Sequence, residues 1–170
     1  MTTQFNYNDG GRKDAGYKGS TGDCVCRAIC IATGKPYKEV YEALASGNAT
    51  QRKGKREGSK AGVKTAARGI NTKRKWFADY MASLGFVWTP TMFVGQGCKV
   101  HLCADELPKG NLVVNVSKHF TAVIDGVIND IYNPQRGGGS WMKTENGITT
   151  RGTTAERCVY GYYTYKPEML

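Results

Sequence analysis

The sequence predicts an α+β fold, with helices first and an antiparallel sheet after them. Three observations carry this. Residues 23–34 and 73–84 bear apolar side chains nearly all round or at helical spacing. From Phe86 onward the chain turns to short runs rich in Val, Ile, Thr and aromatics. Within them, "AVIDGVIND" sets Asp125-Gly126 between two apolar runs, the mark of a two-residue hairpin turn.

The chain has 170 residues, enough for a single domain over 1–170 with a proper core. Residues 1–21, rich in Gly, Asn, Asp and Lys, read as irregular. The first helix is expected to start near Asp23, with Thr21 or Asp23 as cap and Gly34 with Pro36 as stop. Its sequence, CVCRAICIAT, predicts a buried helix. A second helix fits Pro36–Ala45, with Val40, Tyr41 and Leu44 as its apolar face. A third fits Lys73–Leu84, with Trp76, Phe77, Tyr80, Met81 and Leu84 inward and Gly85 as its end. Between them, 47–72 reads as a loop with a short helix near Val63–Arg68. Strands are expected at Phe86–Trp88, Lys99–Leu102, Leu112–Val116, Phe120–Ile124, Val127–Tyr132 and 157–165. Residues 135–156, rich in Gly and Thr, read as a loop.

No run of 18 apolar residues exists, so no membrane span is expected. The polar N-terminus lacks the apolar centre of a signal peptide. A cytoplasmic setting is the expectation, and there thiols stay reduced. The six cysteines (24, 26, 30, 98, 103, 158) are therefore expected as thiols, ligands or core, not as disulfides.

The net charge of +10 is unevenly spread. Residues 48–75 hold ten basic side chains and one acid, Glu57, and so carry +9 of it. This basic insert, 48–72, suits phosphates or an acidic partner, with Arg52, Lys53, Lys55 and Arg56 as candidate contacts within 51–75. It has no aromatic residue before Trp76, so base stacking is not predicted. A solvated loop explains the same charges.

A reactive thiol needs a lowered pKa, a base, and a group that orients the base. Cys24 falls in the first turn of the predicted helix, where unpaired N–H groups and the dipole favour a thiolate. Cys26 and Cys30 lie about 200° and 240° further round the helix and face elsewhere. Of two histidines, His119 opens the first strand of the predicted hairpin. With a two-residue turn at Asp125-Gly126, Thr121 faces Asp130 and His119 faces Tyr132. His119 and Asp130 then project from one side as diagonal neighbours. Asp130 is the preferred orienter, and Asn133 at the strand end is the fallback. A buried structural cysteine and a structural histidine account for either residue taken alone.

His101, in "CKVHLCADEL", has no hairpin geometry that aims a carboxylate at it, and reads as a strand or loop residue. Cys98, His101 and Cys103 lack the paired spacing of structural zinc sites. No cofactor or metal is called for.

"GDCVCRAI" opening a buried helix, "HFTAVIDG" opening a strand and "NDIYNP" closing the next resemble the papain-like cysteine peptidase superfamily. The chain order Cys, His, Asp matches. "LGFVWTP" and "CVYGYY" also look similar to small proteins of phages and mobile elements. The resemblance covers about residues 20–165. It implies a helical part carrying the central Cys helix, packed on a C-terminal antiparallel sheet, with the site between them. It also implies Cys24 as nucleophile, His119 as base and acid, Asp130 as orienter, and a peptide or isopeptide bond in a protein or peptide substrate. If phage-encoded, the chain would work in the host cytoplasm. Such enzymes commonly place a Gln or Asn before the Cys as second oxyanion donor. Residues 18–23 contain neither, so Asn8, Asn6, Ser20, Thr21 or a backbone N–H would serve instead. A non-catalytic module that uses the basic insert, within residues 51–75, to bind nucleic acid or a host protein, with a merely structural Cys/His/Asp set, is the alternative function.

Overall fold

The computed structural model of the chain describes residues 3–55, 61–135, 139–154 and 157–170. It is an α+β arrangement with three α-helices and a six-stranded, mostly antiparallel sheet among those residues.

Helix α1 (Cys24–Thr33) forms where its apolar composition predicts. It ends at Gly34, whose left-handed φ of 72° turns its N–H onto the Cys30 carbonyl at 2.8 Å. Helix α2 (Tyr37–Ala49) begins just after Pro36 and runs four residues past the expected end. Gly47 sits inside it because a Cβ there would meet the Trp76 ring at 2.3 Å. Helix α3 (Lys75–Ser83) buries Phe77 and Met81. The short helix expected near Val63–Arg68 does not form. That segment makes a bridge from Arg68 to Gly22 instead, which brings the end of the basic insert beside the start of α1.

The strands are β1 (Phe5–Tyr7), β2 (Phe86–Pro90), β3 (Asn111–Val116), β4 (His119–Ile124), β5 (Val127–Asp130), β6 (Gly139–Glu145), β7 (Ile148–Thr154) and β8 (Val159–Tyr165). The main sheet has the order β1-β5-β4-β3-β8-β2, and only the β1–β5 pair is parallel. The β4–β5 hairpin has the expected register: Ala122 faces Asn129 and Ile124 faces Val127. Asp125 and Gly126, with φ of 47° and 85°, make its turn.

Three expectations need correction. Residues 1–21 are not all irregular, since Phe5–Tyr7 adds a parallel edge strand against β5. The stretch 135–156 is not all loop: β6 and β7 pair antiparallel around Asn146-Gly147, both at positive φ. Lys99–Leu102 is not a strand, and only a bridge from His101 to Cys158 remains there. That bridge accounts for a fourth correction. It brings Cys158 to the 98–101 loop with a Cα–Cα distance of 5.8 Å to Cys98, and the two form a disulfide. Cys24, Cys26, Cys30 and Cys103 are in no disulfide.

Side-chain alternation on β3 divides the apolar interior in two. Val113 faces the helices and joins Ile29, Val40, Leu44, Phe77, Phe120 and Ala122. Leu112, Val114 and Val116 face the other way and meet Leu102, Leu107, Val123, Ile128 and Val159. Helix α1 thus lies on one face of β3 and β4, with Cys24 near the end of the sheet where β4 begins. No helix among the described residues is long and apolar enough to cross a membrane.

Candidate functional site

The register that pairs Ala122 with Asn129 brings Thr121 level with Asp130, and His119 one diagonal step away. The side chains meet accordingly. His119 Nε2 lies 2.7 Å from Asp130 Oδ2, and Thr121 Oγ1 donates to the same oxygen at 2.8 Å. The Ile131 N–H donates to Oδ1 at 2.7 Å. Asp130 and His119 are buried, at 3% and 7% exposure.

Cys24 opens α1 and is half-buried, facing the start of β4. The His119 ring and the Phe120 backbone N–H are the neighbours that favour its ionised form. With Nε2 held by Asp130, Nδ1 is the ring nitrogen available to the thiol. The Tyr132 hydroxyl oxygen also stands 3.3 Å from Nδ1.

Electrostatics follow from these contacts. Burial opposes ionisation of Cys24. The His119 hydrogen bond and charge, the Phe120 N–H and the nearby Arg27 outweigh it and hold the thiol below its ordinary range. Burial likewise works against a charged His119. The bond to Asp130 and the contact with Cys24 prevail, raising it to about 9. Asp130 is held below the usual carboxylate range: burial opposes this, and the His119, Thr121 and Ile131 contacts overcome it.

No family model matches the chain, and comparison with curated proteins and with solved structures returns no match.

Cys24 and His119 face a cavity of about 470 Å³. Its wall includes Gly69, Ile70, Thr72 and Lys73 from the end of the basic insert, and Asn115, Lys118, Phe120 and Tyr160 from the sheet. An ionised thiol, a base that can carry its proton, and a carboxylate fixing the base's tautomer are the ingredients of nucleophilic acyl transfer. Backbone N–H groups in the first turn of α1, which have no partner inside the helix, suit a developing oxyanion.

The sister cysteines do not share this setting. Cys26 and Cys30 are buried in the interior. The neighbouring Cys30 thiol, together with burial, pushes the Cys26 thiol strongly up, so it stays protonated.

None of the side chains proposed as second oxyanion donors lines the Cys24 cavity. Asn6 and Asn8 both turn to Asn129 Oδ1, at 2.9 and 3.4 Å, because β1 pairs in parallel with β5. Asn8 also accepts from the Gly10 N–H at 2.9 Å. Ser20 and Thr21 are exposed, with their backbone carbonyls bound by Arg12 and Arg27. Asn133 is exposed and accepts the Gln135 N–H, so it is not the orienter of His119. Asn115 is the amide side chain at the cavity wall. Sequence reasoning missed it, although its alternation with Val113 on β3 put it on the helix-facing side.

Arg27 was also missed. On α1 it is 2% exposed, pairs with Asp23 and with the Thr21 carbonyl, and brings Nη2 within 3.7 Å of Asp130 Oδ1. Asp23 receives the Tyr37 hydroxyl and Arg12 as well. An arginine inside CVCRAICIAT, a helix otherwise fit for burial, was the available signal: a buried guanidinium needs carboxylates around it.

His101 is a loop residue, in keeping with the expectation. Glu106 reaches it within its own loop, with Oε2 3.0 Å from Nδ1. His101 is half-buried and Glu106 exposed, and Cys98 is tied to Cys158. Among the described residues no group of three or more His, Cys, Asp or Glu side chains is arranged to hold a metal. Of the basic candidates, Arg52, Lys53 and Lys55 do not line the Cys24 cavity: Arg52 is bound through its carbonyl to Arg74, and Lys53 and Lys55 are exposed. Arg56 lies outside the described residues.

Proposed function

We propose that the chain is a thiol acyl hydrolase of the papain-like cysteine peptidase kind, cleaving a peptide or isopeptide bond. One observation carries this reading. Cys24, at the first turn of a buried helix, lines one cavity with a histidine whose Nε2 is held 2.7 Å from a buried carboxylate.

In the reaction, the Cys24 thiolate attacks the carbonyl carbon and forms a C–S bond. The oxyanion is met by N–H groups of the α1 first turn. The C–N bond then breaks, and the His119 imidazolium gives its proton to the leaving amine. A thioester remains on Cys24. Water gives a proton to His119 and its oxygen attacks the thioester. The carboxylic acid leaves, and the proton held on His119 restores the thiolate–imidazolium pair. Asp130 keeps Nε2 protonated and Nδ1 toward the reaction throughout. Lys73 and Lys118 at the cavity wall favour a substrate with a carboxylate near the scissile bond.

An acyl-transfer assay tests this reading. With p-nitrophenyl acetate, the wild type should release p-nitrophenolate in a burst and carry an acetyl group on Cys24 by mass spectrometry. Cys24→Ala should abolish the burst and His119→Ala should slow it. Acetylation spread over other residues, with Cys24 unmodified, would contradict the proposal.

A further inference from the structure

The Cys98–Cys158 disulfide has a histidine set against it. His101 Nε2 stands 3.6 Å from Cys98 Sγ. On the other side of the ring, Glu106 Oε2 lies 3.0 Å from Nδ1, and the same carboxylate accepts the His101 backbone N–H. With the Nδ1 proton given to Glu106, the lone pair of Nε2 is the one turned to sulfur. Glu106, His101 and Cys98 thus place carboxylate, imidazole and sulfur in line within one short loop. Cys98 is exposed, so a thiol in solution can reach this sulfur. Cys158 is half-buried, with Met92 Sδ 3.9 Å from its Sγ.

Backbone pairing holds the two cysteines together independently of the S–S bond. On either side of the bridge between His101 and Cys158, the Val159 N–H donates to the Val100 carbonyl and the Leu102 N–H to the Arg157 carbonyl, both at 2.8 Å. A further bridge joins Met92 to Cys98. With the S–S bond open, these contacts keep the sulfurs adjacent, and closure is intramolecular. Of the charged neighbours, Lys99 stands over the Phe93 ring, Nζ 6.0 Å from its centroid, and Arg157 donates to the carbonyls of Ser117 and Pro134. Glu106 is the charged group that touches the imidazole.

We propose that Cys98 and Cys158 form a thiol–disulfide exchange site for low-molecular-weight thiols and their disulfides, with His101 as the base for Cys98 and Glu106 as the residue that positions it. A crosslink that serves stability alone needs neither. In the opening direction a thiolate attacks Cys98 Sγ. The new S–S bond forms as the Cys98–Cys158 bond breaks, and Cys158 takes the electron pair and a proton from water. A second thiol gives its proton to His101 Nε2 and attacks the small-molecule sulfur of the mixed disulfide. Cys98 leaves as a thiolate beside the imidazolium. Two thiols are thereby oxidised to one disulfide, and the protein disulfide is reduced to two cysteines. Closure runs the same steps backwards. The site is independent of the reading of Cys24.

The test equilibrates the full chain in buffers of graded reduced and oxidised glutathione, stops exchange with acid, and reads each cysteine by peptide mass spectrometry. Reading them separately keeps Cys24 out of the result. The trapped mixed disulfide should sit on Cys98 and not on Cys158. His101→Ala should need a roughly tenfold more reducing buffer for half-opening, because the reduced form loses the partner of its thiolate. Glu106→Gln keeps an acceptor for the backbone N–H and should shift the midpoint the same way by less. These variants leave both cysteines in place, so the comparison does not depend on folding without the disulfide. In Cys158→Ser, alkylation of Cys98 against pH gives a second readout. Its limb should lie below the ordinary thiol value of about 8.5 and move up when His101→Ala is added. An equal opening midpoint in wild type and His101→Ala would overturn the proposal, as would glutathione carried on Cys158. A bond that glutathione opens only when the protein unfolds would overturn it too, leaving a structural crosslink.

Discussion

Arg27 and Asp130 belong to a helix and a strand far apart in the chain, yet the guanidinium Nη2 stands 3.7 Å from the carboxylate Oδ1. Both are almost fully buried. Through Arg27, Asp23 beside Cys24 is joined to the carboxylate that holds His119. The start of α1 and the end of β5 are thereby fixed relative to each other.

Removing Arg27 leaves two carboxylates buried without it. Arg27→Met should therefore destabilise the protein by about 3–5 kcal/mol. Pairing it with Asp23→Asn should cost less than the sum of the two single changes, because the partners share one network. Chemical denaturation of the four proteins measures this. Strict additivity would show that Arg27 and Asp23 act independently.

On the proposed reading, turnover and alkylation depend differently on pH. The thiolate–imidazolium pair is populated between the lowered pKa of Cys24 and the His119 value of about 9. Turnover needs both charges. It should rise on an acid limb below the ordinary thiol value of about 8.5 and fall through about 9 as His119 loses its proton. Alkylation needs only the thiolate, so it should rise on the same acid limb and show no fall. Parallel pH profiles from one preparation test the difference.

Asp130→Asn keeps the shape and removes the charge. His119 should lose much of its raised pKa, and acyl transfer should fall on the order of 10²–10⁴-fold. Stability carries a second sign. The Asp130 pKa is depressed in the fold, so its contribution is present above the ordinary carboxylate value of about 3.9. That contribution is lost as pH falls through the lower folded value. The gap in melting temperature between wild type and Asp130→Asn should accordingly shrink in acid.

The disulfide between Cys98 and Cys158 closes a loop of 60 residues. Chain entropy alone sets its contribution near 4 kcal/mol. Cys98→Ser with Cys158→Ser should lower unfolding free energy by up to that amount while leaving Cys24 alkylation unchanged. A large effect on Cys24 would mean that the crosslink also positions the cleft.

The legible parts of the sequence were those governed by local rules. CVCRAICIAT is apolar all round, and Asp125-Gly126 demands positive φ. From these came α1, the β4–β5 register and the meeting of His119 with Asp130. The missed parts depend on distant partners. Phe5–Tyr7 becomes a strand only because β5 offers an edge. Asn8 is drawn away from Cys24 by Asn129 on that edge. Cys98 and Cys158 meet through a bridge that hydropathy does not encode. Asn146-Gly147 was a local turn signal that went unread among the surrounding glycines and threonines.

The most direct measurement is the alkylation rate of each free cysteine against pH, followed by mass spectrometry in wild type and His119→Ala. Cys24 should react fastest, stay reactive well below about pH 8.5, and return toward ordinary thiol behaviour when His119 is removed. A Cys24 that titrates as an ordinary or raised thiol, indifferent to His119→Ala, would contradict it.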